Sequence, residues 1–328
     1  MASTRLFLCF VCVCLVSGIA AAQRSGEVVA PKSFKAPVIE RSPELQSILD
    51  AAVSQTLSSL ASVKPEEIAA TLIDLRDPAR FHIADIRGEQ RIYPASVVKL
   101  FYMAALERQL EDGKVIMTPE LSRGLHDMIV VSSNEATQYI LDVITDTSSG
   151  AELPKDEFEK WQYKRNRVNR FYASMGYQNI NVNQKTFCDD AYGVEQQTRN
   201  YKGENRNMLT TDATARLLAE IVTGRMNTPE RTKSMMDLLS RDWSKPSSDP
   251  DDQAVGFSGK LLIDRKLMGT SLWSKAGWTS KARHDAAYIE TPDGLKFVLV
   301  VFTENHANER EIIPSIAGKV IDALRAKN

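Results

Sequence analysis

The sequence predicts an α+β fold, and three observations predict it. Strand-like runs lie towards both ends of the chain, helical periodicity fills its middle, and one apolar-faced helix lies near each terminus. The expected architecture is an antiparallel sheet of about five strands built from both chain ends. Helices flank it, and an all-helical insertion separates its two halves. The 328 residues, 43% hydrophobic and 25% charged, suffice for one large core or two smaller ones. A formal net charge of -1 gives no basic excess for a nucleic-acid partner.

"MASTRLFLCFVCVCLVSGIAAAQ" has Arg5, an apolar run from Leu6 to Val16, then small residues ending at Ala22. That layout predicts a signal peptide over 1–22 and an exported protein, periplasmic or secreted. The run is short for a membrane span, so no stable membrane insertion is expected once it is cleaved. Cys9, Cys12 and Cys14 would leave with it, so Cys188 would be the mature chain's single thiol, with no internal disulfide. Residues 23–41, with Pro31 and Pro37, read as a loosely held leader.

The main domain is expected over 42–328, its α/β part at 42–95 and 258–328 and its helical part at 96–257. Ser42, Pro43 and Glu44 open a helix as cap, first residue and acidic first turn, and Leu45, Ile48, Leu49, Ala52 and Val53 follow at helical spacing. "AATLIDLR" and "RFHIADIRG", separated by an Asp-Pro turn, read as a strand pair. Helical spacing runs from Ser96 to about Ser149. Residues 150–165 read as a charged, exposed connection, "NRVNRFYASMGY" as a short helix ending at Gly176, and 177–207 as a polar loop. "TTDATARLLAEIVTG" predicts a helix capped by Thr210 or Thr211 and stopped by Gly224, with another over 228–240. "SLWSKAGW", "DAAYIETPDG" and "LKFVLVVFTEN" read as strands. Residues 308–326 make a terminal helix with Ile312, Ile313, Ile316, Val320, Ile321 and Leu324 on one face.

Several chemistries find no support. His82, His126, His284 and His306 show no ligand spacing, so no metal is expected. The sequence has neither a G-x-S-x-G elbow nor a phosphate loop, and no cofactor is expected. Three short stretches remain. In "YPASVVKL", Ser96 falls at a helix start, where unpaired N–H groups can stabilise an oxyanion. Lys99 lies on the same face, about 5–6 Å away between Cβ atoms. A lysine held in a dry site near a cation can accept the serine's proton. The alternative is a capping serine with a lysine that snorkels to water. In "VVSSNEAT", Ser132 could relay a proton and Asn134 could bind a substrate amide, or either could cap a helix. In "LWSKAGW", Lys275 would add a cation beside an edge strand whose Gly277 lets a substrate backbone pair, or it is a solvated surface lysine.

S-x-x-K, S-x-N and K-x-G in that order resemble the signature set of class A β-lactamases and penicillin-binding proteins. The resemblance spans residue 42 to the C-terminus and implies a β-lactamase/transpeptidase-like fold. It implies Ser96 as acylated nucleophile, Lys99 as its proton acceptor, Ser132 as proton shuttle to the leaving nitrogen and Asn134 as amide binder. Lys275, Ala276 and Gly277 would bind substrate, Lys275 by drawing in its carboxylate, with Arg283 assisting. The oxyanion hole would be the backbone N–H groups of Ser96 and Trp278. Ser133 replaces the usual aspartate and Ala276 the usual threonine, whose hydroxyl is lost. Trp278 is bulky where the family has a small polar residue. Class A enzymes carry a deacylating glutamate in E-x-x-L-N; Glu195 followed by Asn200 is a loose match. The implied function is β-lactam hydrolysis through an acyl-enzyme on Ser96, with a role in antibiotic resistance. A D-alanyl-D-alanine peptidase or esterase is the enzyme alternative. A non-turning-over sensor of β-lactams or cell-wall peptides is the alternative of another class. The implied partner is a small β-lactam or cell-wall peptide, and a monomer is expected.

Overall fold

Ser42 caps the first helix by accepting a hydrogen bond from the Leu45 N–H, and Pro43 fills the first helical position, where a missing N–H costs nothing. Helix α1 (Pro43–Ser59) buries Leu45, Ile48, Leu49, Ala52 and Val53. It packs against the C-terminal helix and the sheet. The computed structural model describes residues 27–187 and 190–327. The expected signal peptide and Cys188 lie outside the described residues.

Six strands form one sheet among the described residues: β1 (Val38–Arg41), β2 (Ile68–Asp74), β3 (Arg80–Ile86), β4 (Ser271–Trp278), β5 (Arg283–Glu290) and β6 (Lys296–Thr303), in the order β1-β3-β2-β6-β5-β4. β1 pairs parallel with β3; the other pairs are antiparallel. Two expectations are thereby corrected. The sheet is mixed rather than antiparallel, and residues 38–41 of the expected leader are its sixth strand. All four side chains of β1 are exposed, so a buried-face alternation could not reveal it. The inner strands are buried on both faces. Alternate residues of β2 and β6 join two cores, Ala69, Ile73, Val298, Val300 and Phe302 on one face and Ile68, Ala70, Leu72, Leu299 and Val301 on the other.

The helical layer covers the first of these faces. Its axis is α2 (Val98–Glu111), buried on every side from Val98 to Leu110. Around it lie α3 (Pro119–His126), α4 (Asn134–Thr145), α5 (Lys155–Arg165), α6 (Arg167–Ser174), α7 (Val194–Arg199), α8 (Thr211–Val222) and α9 (Pro229–Leu239). α10 (Ser258–Asp264) and α11 (Ile312–Arg325) pack together with α1 on the opposite face. α5 corrects the expected exposed connection. It buries only Phe158, Gln162 and Arg165, too few apolar residues to leave a helical stripe. α7 sits within the segment read as a polar loop. Thr210, not Thr211, caps α8, accepting from the Ala213 N–H.

Candidate active site

The turn that carries Ser96 is unusual before any function is considered. Ala95 has φ +46°, left-handed backbone that a residue with a Cβ rarely adopts. A single 3₁₀ turn over Ala95–Val97 then feeds α2, and Ser96 is half-buried within it. Strain of this kind persists where the surroundings over-determine it, and the surroundings here are identifiable. His284 on β5 is fully buried, and burial pushes its pKa down to about 4. It is therefore neutral at pH 7. Its Nδ1 accepts from the Thr303 N–H at 3.1 Å, which leaves Nε2–H to donate to the Tyr93 carbonyl at 3.0 Å. The entry to the Ser96 turn is thus pinned to the sheet.

Gly277 fixes the other side. A Cβ built on it would lie 2.7 Å from the Ser96 backbone nitrogen, 2.9 Å from the Pro94 oxygen and 2.9 Å from the Val97 nitrogen. β4 runs against the Ser96 turn at a separation only glycine permits. This approach brings the end of β4 beside the Ser96 N–H, where the resemblance places an oxyanion hole. Gly277→Ala must push the strand and the turn apart. Acylation should fall by about 10²–10³-fold, the usual loss when an oxyanion donor is misplaced. Adduct formation timed by intact mass checks this, and an unchanged rate would show that the close approach has no catalytic consequence.

Lys99 does not snorkel. It is fully buried in the first turn of α2. Its Nζ donates to the Ser132 carbonyl at 2.5 Å, the Ser132 Oγ at 3.2 Å and the Asn134 Oδ1 at 3.0 Å. Ser132 reaches it because the chain leaves α3 through a wide π-type turn, Asp127–Val131, and then reverses at Ser132 itself, at φ +63°. Ser133 caps α4, its Oγ accepting from the Ala136 N–H at 3.0 Å. The serine that replaces the family's aspartate thus does the capping, and neither Ser132 nor Asn134 is spent on it.

Lys275 is fully buried on β4, so it is not a solvated surface lysine. Its Nζ donates to the Ser132 Oγ at 3.0 Å, the Gln253 Oε1 at 2.5 Å and the Ala276 carbonyl at 2.8 Å. Burial first, then the charges of Lys99 and Arg241, hold its pKa well below that of an ordinary lysine. The Ser132 hydroxyl therefore sits between two lysine nitrogens, an arrangement suited to passing a proton.

The remaining expected residues have other side-chain surroundings. Ala276 packs with the core on the far face of the sheet. Arg283 is buried, donating to Asp251 at 2.6 Å and to the Gly256 carbonyl at 2.5 Å, with its guanidinium stacked over Phe257. It ties the 250–257 loop to β5. Trp278 is exposed at the end of β4, its ring near that of Phe257. Glu195 is buried in the first turn of α7. Its two oxygens accept from Arg165 at 2.7 and 2.8 Å, and Ser149 and Lys185 also reach it, at 2.9 and 3.2 Å. Burial alone would raise its pKa, but Arg165 and Lys185 outweigh burial and hold it below the usual glutamate value.

Three contributors carry no sequence signal of their own: His284, Gln253 and Arg241. Buried Arg241 donates to the Ile129 and Ser274 carbonyls at 3.2 and 2.7 Å, and burial lowers its pKa to about 10. Among the described residues, no group of three or more His, Cys, Asp or Glu is placed to hold a metal ion.

The beta-lactamase enzyme family model matches residues 117–324, well over half the chain; Ser96 and Lys99 lie just upstream of that stretch. No curated protein is matched by sequence. Solved structures similar to this chain include a β-lactamase from Sphaerobacter thermophilus, at 20% identity and a TM-score of 0.58, covering 85% of this chain and 98% of that one. A class A β-lactamase representative from Bacteroides cellulosilyticus gives 15% and 0.60, covering 86% and 99%. PBP-A gives 17% and 0.55, covering 89% and 100%. Likeness at such identities shows the fold. Together with the matched family model, it shows that the chain belongs to the beta-lactamase enzyme family.

Proposed function

We propose that the protein is a serine acyl-hydrolase that opens β-lactams or peptide-like amides through an acyl-enzyme on Ser96 and releases the acyl group slowly. The observation that carries this reading is the Ser132 hydroxyl shared between buried Lys99 and buried Lys275. The Lys99 amine takes the proton from Ser96 as its oxygen bonds to the carbonyl carbon. The C–N bond then breaks, and the leaving nitrogen takes the Ser132 proton, which an adjacent lysine replaces. Water later cleaves the ester.

The geometry at Glu195 favours slow release. A general base needs an oxygen free to hold water and a pKa near the working pH. Glu195 has both oxygens on Arg165 and a lowered pKa. This supports the penicillin-binding peptidase or esterase over rapid β-lactam turnover. Among the similar structures, a PBP-A variant was solved as an acyl-enzyme complex with penicillin G. Export is part of the proposal and rests on the apolar run Leu6–Val16 and the small residues before Gln23. Intact mass of the protein followed over time after exposure to penicillin G tests the reading. One adduct per chain that persists for minutes to hours supports it. Rapid hydrolysis with no accumulated adduct supports β-lactamase turnover instead, and neither adduct nor hydrolysis overturns the acyl-enzyme.

A further inference from the structure

One of the three acceptors on Lys275 is a side-chain amide. Gln253 lies in the loop before α10 and is buried, 8% exposed. Its Oε1 accepts from Lys275 Nζ at 2.5 Å and from the Ala276 N–H at 3.3 Å. Its Nε2 donates to the Ile129 and Val130 carbonyls at 3.2 and 2.9 Å. One end of the amide thus sits on β4 and the other on the turn that delivers Ser132. The partners fix its orientation. Reversed, the NH₂ would face two donors and the oxygen would face two carbonyls.

An ammonium has three N–H groups, and Lys275 uses three: on Ser132 Oγ, Gln253 Oε1 and the Ala276 carbonyl. A substrate carboxylate arriving at Lys275 must displace one of them. The Ala276 carbonyl is strand backbone, and Ser132 is needed for the proton relay. The Gln253 amide is neither strand backbone nor part of the relay, so it is the acceptor a substrate displaces, and it is uncharged beside the buried Lys99, Arg241 and Lys275 side chains.

We propose that Gln253 is a specificity-determining residue: its amide oxygen stands where a substrate carboxylate would meet Lys275, so the enzyme favours substrates presenting a neutral acceptor there, an ester or internal amide, over those with a free carboxylate. This rests on the acyl-enzyme reading above.

Matched probes test it: penicillin G and its methyl ester, incubated with the full chain and with its Gln253→Ala and Gln253→Glu variants. The readout is the ratio of Ser96 adduct-formation rates, acid over ester. A variant that merely loosens the fold slows both probes and leaves the ratio unmoved. Gln253→Ala should raise the ratio about tenfold, one charge-assisted hydrogen bond's worth of discrimination. Gln253→Glu sets a fixed carboxylate on Lys275 and should lower it by about as much. Adducts in all three proteins with ratios within about twofold of one another overturn the proposal while leaving the acyl-enzyme intact. No Ser96 adduct with either probe in the unaltered protein overturns both.

Discussion

Ser96→Ala should abolish the penicillin adduct and leave the fold in place. The acylation rate should drop by at least about 10⁴-fold, since removing a nucleophile removes the bond-forming step itself. Stability should change little, within about 0.5–1 kcal/mol, because Ser96 is half-buried and the turn is held by other groups. Those groups are His284 on the Tyr93 carbonyl and the glycine contact from β4. The combination separates Ser96 from its neighbours. Lys99→Ala should also halt acylation, but it leaves the Ser132 carbonyl and Asn134 Oδ1 without a donor they now have, so it should lower the melting temperature as well. Intact mass after penicillin exposure, read beside a thermal melt, checks both. A surviving adduct in Ser96→Ala would move the nucleophile elsewhere.

The two lysines show how far a sequence reading reaches. The sequence leaves Lys99 and Lys275 two possible fates each, and spacing alone does not choose between them. Burial chooses, and burial depends on which elements close over each side chain. Ser42 and Thr210 could be read directly, because a cap acts within three residues of itself. β1 could not, because its exposed side chains carry no alternation and its pairing with β3 is set by chain geometry about forty residues away. α5 hid for a related reason: its anchor is Arg165, a cation, and no apolar pattern announces a helix buried through an ion pair. His284 is the inverse case. Its spacing to the other histidines carries no signal, yet its two ring nitrogens join β6 to the entry of the Ser96 turn. Gln253 and Arg241 act on backbone carbonyls, partners that no sequence motif encodes.

Glu195 is where the sequence reading and the geometry diverge most, and Arg165 makes that divergence measurable. Arg165 is fully buried, donates to both oxygens of Glu195, to Asp142 at 3.1 Å and to Thr147 at 2.9 Å, and stacks over Trp161. Removing it strands a buried carboxylate with Lys185 as its remaining cation. Arg165→Ala should therefore cost about 3–5 kcal/mol, the usual penalty for breaking a buried pair, seen as a lower urea midpoint. Glu195→Gln removes the same charge pair from the other side and should destabilise too. The lowered pKa of Glu195 gives the pH dependence its sign. Its contribution is fully present above the unfolded glutamate value of about 4.3 and is lost as pH falls through its lower folded value. Asp142, whose pKa burial and the Glu195 charge raise, acts in the opposite sense, so the stability difference between the unaltered protein and Glu195→Gln, taken at each pH, reports Glu195 together with its coupling to Asp142. That difference should shrink on acidification. The same variant decides the chemistry. A general base typically contributes about 10²–10⁴-fold, so if Glu195 activated the deacylating water, Glu195→Gln would lengthen the adduct's lifetime by that factor. If Glu195 instead braces α5 against α7, the lifetime stays nearly constant while stability falls, and the slow step at Ser96 lacks a base because this carboxylate is held in an ion pair.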